Sequence, residues 1–212
     1  MLGFQLVRNF DAPYFSRDMG EFWRRWHISF SFWLRDYLYI PLGGNRRGEA
    51  RVAFNLFLTL LLAGLWHGSD ATFLLFGAFH GLLVVLSHWY RKLRPVRDSS
   101  ARWPGGVLVF LLFSAVVVFF RGQTIEHCFS LYAVMISGGT WALTPNVLVS
   151  IGVAALSAAA LFGFDALYRR AGTECFVWDW PAPARVLAYA LVLNALILLG
   201  RAEEIQFVYF QF

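Results

Sequence analysis

In Gly64-Leu65-Trp66-His67-Gly68-Ser69-Asp70, one histidine closes an apolar run that carries no charge from Val52 to Trp66. A neutral imidazole in an apolar cavity can take the proton of a hydroxyl as its oxygen attacks an acyl carbon. Gly64 and Gly68 allow close backbone approach and a break in the helix. Asp70 could orient the ring, or it could cap a helix from Ala71 onward. A second histidine, His27, lies in the aromatic and basic stretch Glu21–Tyr39. At helical spacing it shares a polar stripe with Arg24, Ser31 and Arg35, while Trp23, Trp26, Phe30, Trp33 and Tyr37 fall on another side. The guanidinium groups suit an anionic partner, either the phosphates of a coenzyme or carrier arm or lipid headgroups. The bland alternative makes both histidines structural. His80, in Phe79-His80-Gly81 and one turn after Gly77, is explained by tight helix packing. His88 and His127 lie near segment ends and suggest no chemistry.

Other chemistries lack their residues. His67 and His80 could hold a metal or haem from two segments, but no carboxylate-rich or cysteine companion supports the pair, and no metal site is expected. A G-x-S-x-G nucleophile elbow is absent. Cys128 and Cys175 belong to no C-x-x-C or Cys/His motif. The net charge of +5 does not point to nucleic acid. The cations Arg46, Arg47, Arg51, Arg91, Lys92, Arg94, Arg97 and Arg102 gather in short loops beside apolar runs, the pattern of orienting charges in cytoplasmic loops.

The elements that position these residues are membrane segments. Apolar residues make up 58% of 212 positions and charged ones 15%, far from the balance of a soluble domain. Mean hydropathy is +0.56. The first twenty residues lack the apolar core of a signal peptide. Glu21–Tyr39 reads as one amphipathic helix lying in the membrane plane, stopped by Pro41-Leu42-Gly43-Gly44-Asn45. The run Val52–Trp66 reaches about 22 Å as a helix, short of a hydrocarbon core of about 30 Å. That arithmetic sets His67 at membrane depth, where an ionisable group is costly and usually functional. Ala71–Tyr90 is long enough to span. Val107–Phe120, the short Cys128–Ser137 stretch closed by Gly138-Gly139, Val147–Leu167 and Val186–Gly200 follow. The basic loops at 46–51, 91–102 and 169–170 all fall on the cytoplasmic side if 52–90 returns as a hairpin and 128–137 does not cross. An all-α, multi-pass membrane protein is expected, as one membrane domain over 1–212.

Several spaced motifs resemble one family. Arg25-Trp26-His27-Ile28-Ser29, Trp33-Leu34-Arg35-Asp36-Tyr37 and Tyr39-Ile40-Pro41-Leu42-Gly43-Gly44-Asn45 look like the membrane-bound O-acyltransferases. The likeness is to the branch that O-acetylates alginate and to its relatives that D-alanylate teichoic acid. Gly64–Gly68 resembles the segment with that family's catalytic histidine. Phe76–Gly81, Val118–Arg121 and the tail Phe207–Phe212 match further pieces. The resemblance implies a ring of tilted transmembrane helices around a funnel, with His67 at its narrow interior and His27 a second catalytic position. Arg24, Arg35 and Trp66 would contact substrate. An acyl group from acetyl-CoA or an acyl carrier, a substrate rather than a bound cofactor, would pass across the bacterial inner membrane to a hydroxyl of a cell-surface polysaccharide. Membrane lipid and extracytoplasmic acetyl-transfer proteins would be its partners. Members of the family are longer, and the likeness covers their C-terminal half. A non-catalytic membrane scaffold or subunit is the alternative reading.

Overall fold

Two apolar helices packed backbone to backbone form the frame of the first of two compact units in a computed structural model that describes residues 7–93, 102–137, 145–172 and 176–199. They are α3 (Glu49–Trp66) and α4 (Ala71–Leu93), named after α1 (Met19–Arg25) and α2 (Ile28–Leu34), which precede them. Their approach needs missing side chains. A Cβ on Gly64 would sit 2.8 Å from the Gly77 Cα, and one on Gly77 would sit 2.6 Å from the Leu60 carbonyl oxygen. The hairpin turns through His67–Asp70: the His67 amide donates to the Gly64 carbonyl at 3.0 Å, and the Asp70 carbonyl accepts from Phe73 at 3.0 Å. At the open end, Glu49 takes Lys92 Nζ at 2.8 Å and His88 Nε2 at 3.0 Å.

Here the length arithmetic needs correction. The helix starts at Glu49 rather than Val52 and has 18 residues, which gives about 27 Å. It is long and apolar enough to cross a membrane, as are Ala71–Leu93 and Ile151–Ala171. Counting uncharged residues missed the first turn, whose Glu49 and Arg51 are held by partners. Arg51 donates to the Leu42 carbonyl at 3.3 Å, and Glu49 by the pairs above. Helix length alone therefore does not set the depth of His67.

The stretch expected as one helix over 21–39 is also corrected. It breaks at Trp26–His27, and His27 adopts φ 45°, ψ 55°, the left-handed region. That conformation costs a non-glycine residue of order 1 kcal/mol and persists only where the surroundings fix it. They do so from 16 or more residues away in sequence. Asn9 accepts the Ile28 amide on its carbonyl at 2.9 Å, and its Oδ1 accepts the Ser29 amide at 3.0 Å and hydroxyl at 2.6 Å. Asp11 donates its amide to the Arg25 carbonyl at 2.9 Å. The freed helix ends thus find partners in the lead-in segment. Asp18 caps α1 by accepting the Glu21 amide at 2.9 Å. A π-helical turn, Arg35–Tyr39, then extends α2.

Around this frame, α5 (Arg102–Arg121) packs on α4, and the 3₁₀ turn Pro13–Phe15 packs on α5. Met19, Phe22, Leu34, Leu60, Ala63, Val84 and Val109 form the core between α1, α2, α3, α4 and α5. A second cluster, Phe76, Val116, Phe119 and Cys128, joins α4 and α5 to α6 (Ile125–Ser137). These elements belong to one compact unit, Met1–Trp141; the other is Ala142–Phe212. Described by itself, the second unit holds α7 (Pro145–Ala171), the 3₁₀ turn Phe176–Asp179 and α8 (Ala182–Leu199), with most described apolar side chains exposed. Such faces suit lipid. Every regular element among the described residues is helical, and the protein is an all-α, polytopic membrane protein. Cys175, the side chains of Arg94, Arg97 and Arg102, Gly138-Gly139 and the tail Phe207–Phe212 lie outside the described residues.

Candidate active site

The break after Trp26 decides which residues meet. It turns His27 away from the line of Arg24, Ser31 and Arg35 and into a cavity of about 170 Å³ with His67. Trp23, Trp26, Phe30, Phe76, Phe113, Val117 and Phe120 complete its walls. Half-buried His67 is set edge-on to Phe120 at 4.9 Å and to Phe76 at 5.9 Å between centroids. His27 lies against Phe30 at 5.2 Å. Its buried Nδ1 takes no partner among the described residues. Two imidazoles lining one aromatic cavity give a setting for proton transfer to or from a hydroxyl.

The rest of the expected polar stripe lines a different cavity, of about 450 Å³. Arg24, Ser31 and Arg35 share it with Tyr39, Asn45, His88 and Arg91. A single stripe of four residues is therefore corrected to three in one cavity and His27 in the other. Partial burial and then the like charge of Arg91 lower the Arg24 pKa. Arg91 is turned toward Asp18 at 3.7 Å, and Arg35 toward Asp36 at 2.8 Å. Three cations around one opening favour an anion of phosphate type.

Trp66 is 45% exposed and stands beside the histidine cavity, its ring 4.8 Å from Phe30 and 5.0 Å from His67. Asp70 is exposed and opens α4 through its carbonyl; among the described residues its carboxylate makes no hydrogen bond to His67. His80 is 1% exposed behind the ring of Phe76. No group of three His, Cys, Asp or Glu side chains gathers among the described residues. Sequence reasoning missed Arg91 and His88 in the basic cavity. By sequence Arg91 reads as an orienting loop charge, although its position one turn after His88 on the same helix carries the signal. Sequence reasoning also missed Phe113, which no local pattern separates from lipid-facing rings, and it gave Phe76 and Phe120 only as members of the motifs Phe76–Gly81 and Val118–Arg121, without a place in the site.

Fold and site together describe a helical membrane protein with two histidines in one aromatic cavity, beside a cavity to which three arginines contribute. The model of the membrane-bound O-acyltransferase family, MBOAT, matches residues 1–121, which include both cavities, and the chain belongs to that family. It is 38% identical over its whole length to a Pseudomonas putida protein named "Probable alginate O-acetylase AlgI", covering 47% of that protein. It is 40% identical to a Helicobacter pylori peptidoglycan O-acetyltransferase over 58% of this chain and 23% of the relative. To a Streptococcus thermophilus teichoic acid D-alanyltransferase it is 32% identical over 57% of this chain and 33% of the relative. The chain spans at most about half the length of these relatives.

Proposed function

We propose that the intact protein is a membrane O-acyltransferase that O-acetylates hydroxyls of a cell-surface polysaccharide of the alginate kind, with its centre at His67. The observation that carries this reading is His67 and His27 lining one aromatic cavity next to a cavity of three arginines. The names of the relatives, which act on alginate, peptidoglycan and teichoic acid, support the acceptor class.

In this reading His67, as neutral imidazole, takes the proton of the acceptor hydroxyl while the oxygen attacks the carbonyl carbon of an acyl thioester. The C–O bond forms, the C–S bond breaks, and the proton passes from His67 to the departing thiolate. His27 donates a ring N–H to the carbonyl oxygen as charge develops there. Arg24 and Arg35 hold the phosphate of a coenzyme A or carrier-arm donor, and Trp66 packs on the substrate beside His67. The bacterial inner membrane, with extracytoplasmic transfer proteins as partners, is the setting that goes with this reaction. The test is His67→Ala in the intact protein, with polymer acetylation measured at matched protein level. Loss of acetylation is expected; normal acetylation would overturn the assignment.

A further inference from the structure

Trp23 is the residue that lines both the basic cavity and the histidine cavity. Its indole is the wall they share, so anything that reaches from the arginines to His67 by the direct route must pass it. Trp23 in turn rests on His80. The two rings meet edge-on at 89°, with centroids 5.2 Å apart. His80 is 1% exposed, and it is closed in by Phe76 at 4.6 Å and Phe113 at 5.8 Å.

The polar atoms at this contact are unmatched. Trp23 Nε1 and both ring nitrogens of His80 are buried without a hydrogen-bond partner among the described residues. A histidine used only for packing would be replaced at lower cost by an apolar ring, because each orphaned group carries a desolvation penalty. A neutral imidazole offers one acceptor and one donor, and the indole offers one donor. One buried water that accepts from Trp23 Nε1–H and donates to the unprotonated nitrogen of His80 satisfies two of the three, leaving the imidazole N–H.

We infer that Trp23 is a gate between the two cavities and that His80 is the positioning residue that holds it shut through such a water. The inference rests on the proposed reading in one respect: the gate is what a donor arm anchored at Arg24 and Arg35 must displace to bring its acyl group to His67. His80 acts through Trp23 and touches no reacting atom.

The test reads passage rather than acyl transfer. Ser31→Cys in the basic cavity and Val117→Cys in the histidine cavity are each introduced into the intact protein in sealed membrane vesicles. A small anionic methanethiosulfonate is added from the face at which Ser31→Cys reacts, and the parent protein supplies the background rate. From that face Val117→Cys reacts slowly, and Trp23→Ala speeds it by about tenfold, as expected when a closing element is removed. His80→Leu speeds it as well and adds nothing to Trp23→Ala, while Ser31→Cys keeps its rate throughout. Should Trp23→Ala fail to fold, Trp23→Phe, which keeps a ring and loses the N–H, matches the His80→Leu rate. A Val117→Cys rate indifferent to Trp23 overturns the gate. Rate gains that multiply, or a changed Ser31→Cys rate, reduce His80 to general packing and overturn its role. Because labelling needs no catalysis, the gate survives if His67→Ala leaves acetylation normal, and the acyl-transfer reading survives if labelling shows no gate.

Discussion

Gly64→Ala perturbs the α3–α4 contact with a single methyl group. The added Cβ meets the Gly77 Cα and amide nitrogen at 2.8 Å, whereas carbon atoms pack comfortably at about 3.5–4.0 Å. Both partners are backbone, so no side chain can swing aside, and the helices must part by about 1 Å. Overpacking of this kind costs about 1–3 kcal/mol. For a domain of this size that lowers Tm by about 2–12 °C. The site moves with the hinge, since the His67 amide bonds to the Gly64 carbonyl at 3.0 Å. A ring displaced by about 1 Å loses up to about 100-fold in rate. The assay is thermal unfolding of the detergent-solubilised intact protein alongside acyl-transfer rate. Gly152→Ala is the control: its Cβ meets nothing within 4 Å, so helix propensity gains up to about 1 kcal/mol and Tm holds or rises. A Gly64→Ala protein that melts and reacts like the parent would refute the close-packing argument.

Three further predictions follow from other contacts. Asn55 is fully buried and donates from Nδ2 to the Gly44 carbonyl at 3.1 Å; Asn55→Leu frees that loop at a cost of about 1–3 kcal/mol, seen as faster tryptic cleavage at Arg46 and Arg47. Burial alone would raise the Glu21 pKa, but hydrogen bonds from Arg17 and the charges of Arg25 and Arg17 overcome it and hold the group at about 2. Its folded pKa lies below its unfolded value, so it stabilises the fold above the ordinary carboxylate range and loses that contribution as pH falls from about 4.5 toward 2. The effect is at most about 3 kcal/mol, and Glu21→Gln flattens the acid limb of the Tm–pH curve. Arg24→Gln raises KM for an acyl-coenzyme A donor by about tenfold with a smaller change in kcat, as loss of uniform binding does; steady-state kinetics in membranes check it.

Much of the frame was legible because it follows from hydropathy alone. Segments read as Ala71–Tyr90, Val107–Phe120 and Val147–Leu167 are helices Ala71–Leu93, Arg102–Arg121 and Pro145–Ala171. Their ends differ because charged and turn-forming residues continue a helix once partners are in reach, as Glu49 does with His88 and Lys92. The candidate site was legible as residue types and not as a shape. Helical spacing joined His27 to Arg24 and Arg35, and periodicity carried no trace of the break, since aromatic residues stand at 23, 26, 30 and 33 on either side of it. The cause is Asn9, whose bonds to Ile28 and Ser29 are visible only in three dimensions. Helical spacing likewise puts Trp23 on an apolar stripe, and its position between two cavities depends on α4 and α5.

The central claim, that His67 and His27 act together in one cavity, is tested most directly by a double-substitution cycle. His67→Ala, His27→Ala and the pair are compared for polymer acetylation in the intact protein at matched expression. Groups that serve one step are non-additive, so the double variant is predicted to be no slower than His67→Ala alone. Two losses that multiply, or a His67→Ala protein that still acetylates normally, would contradict it.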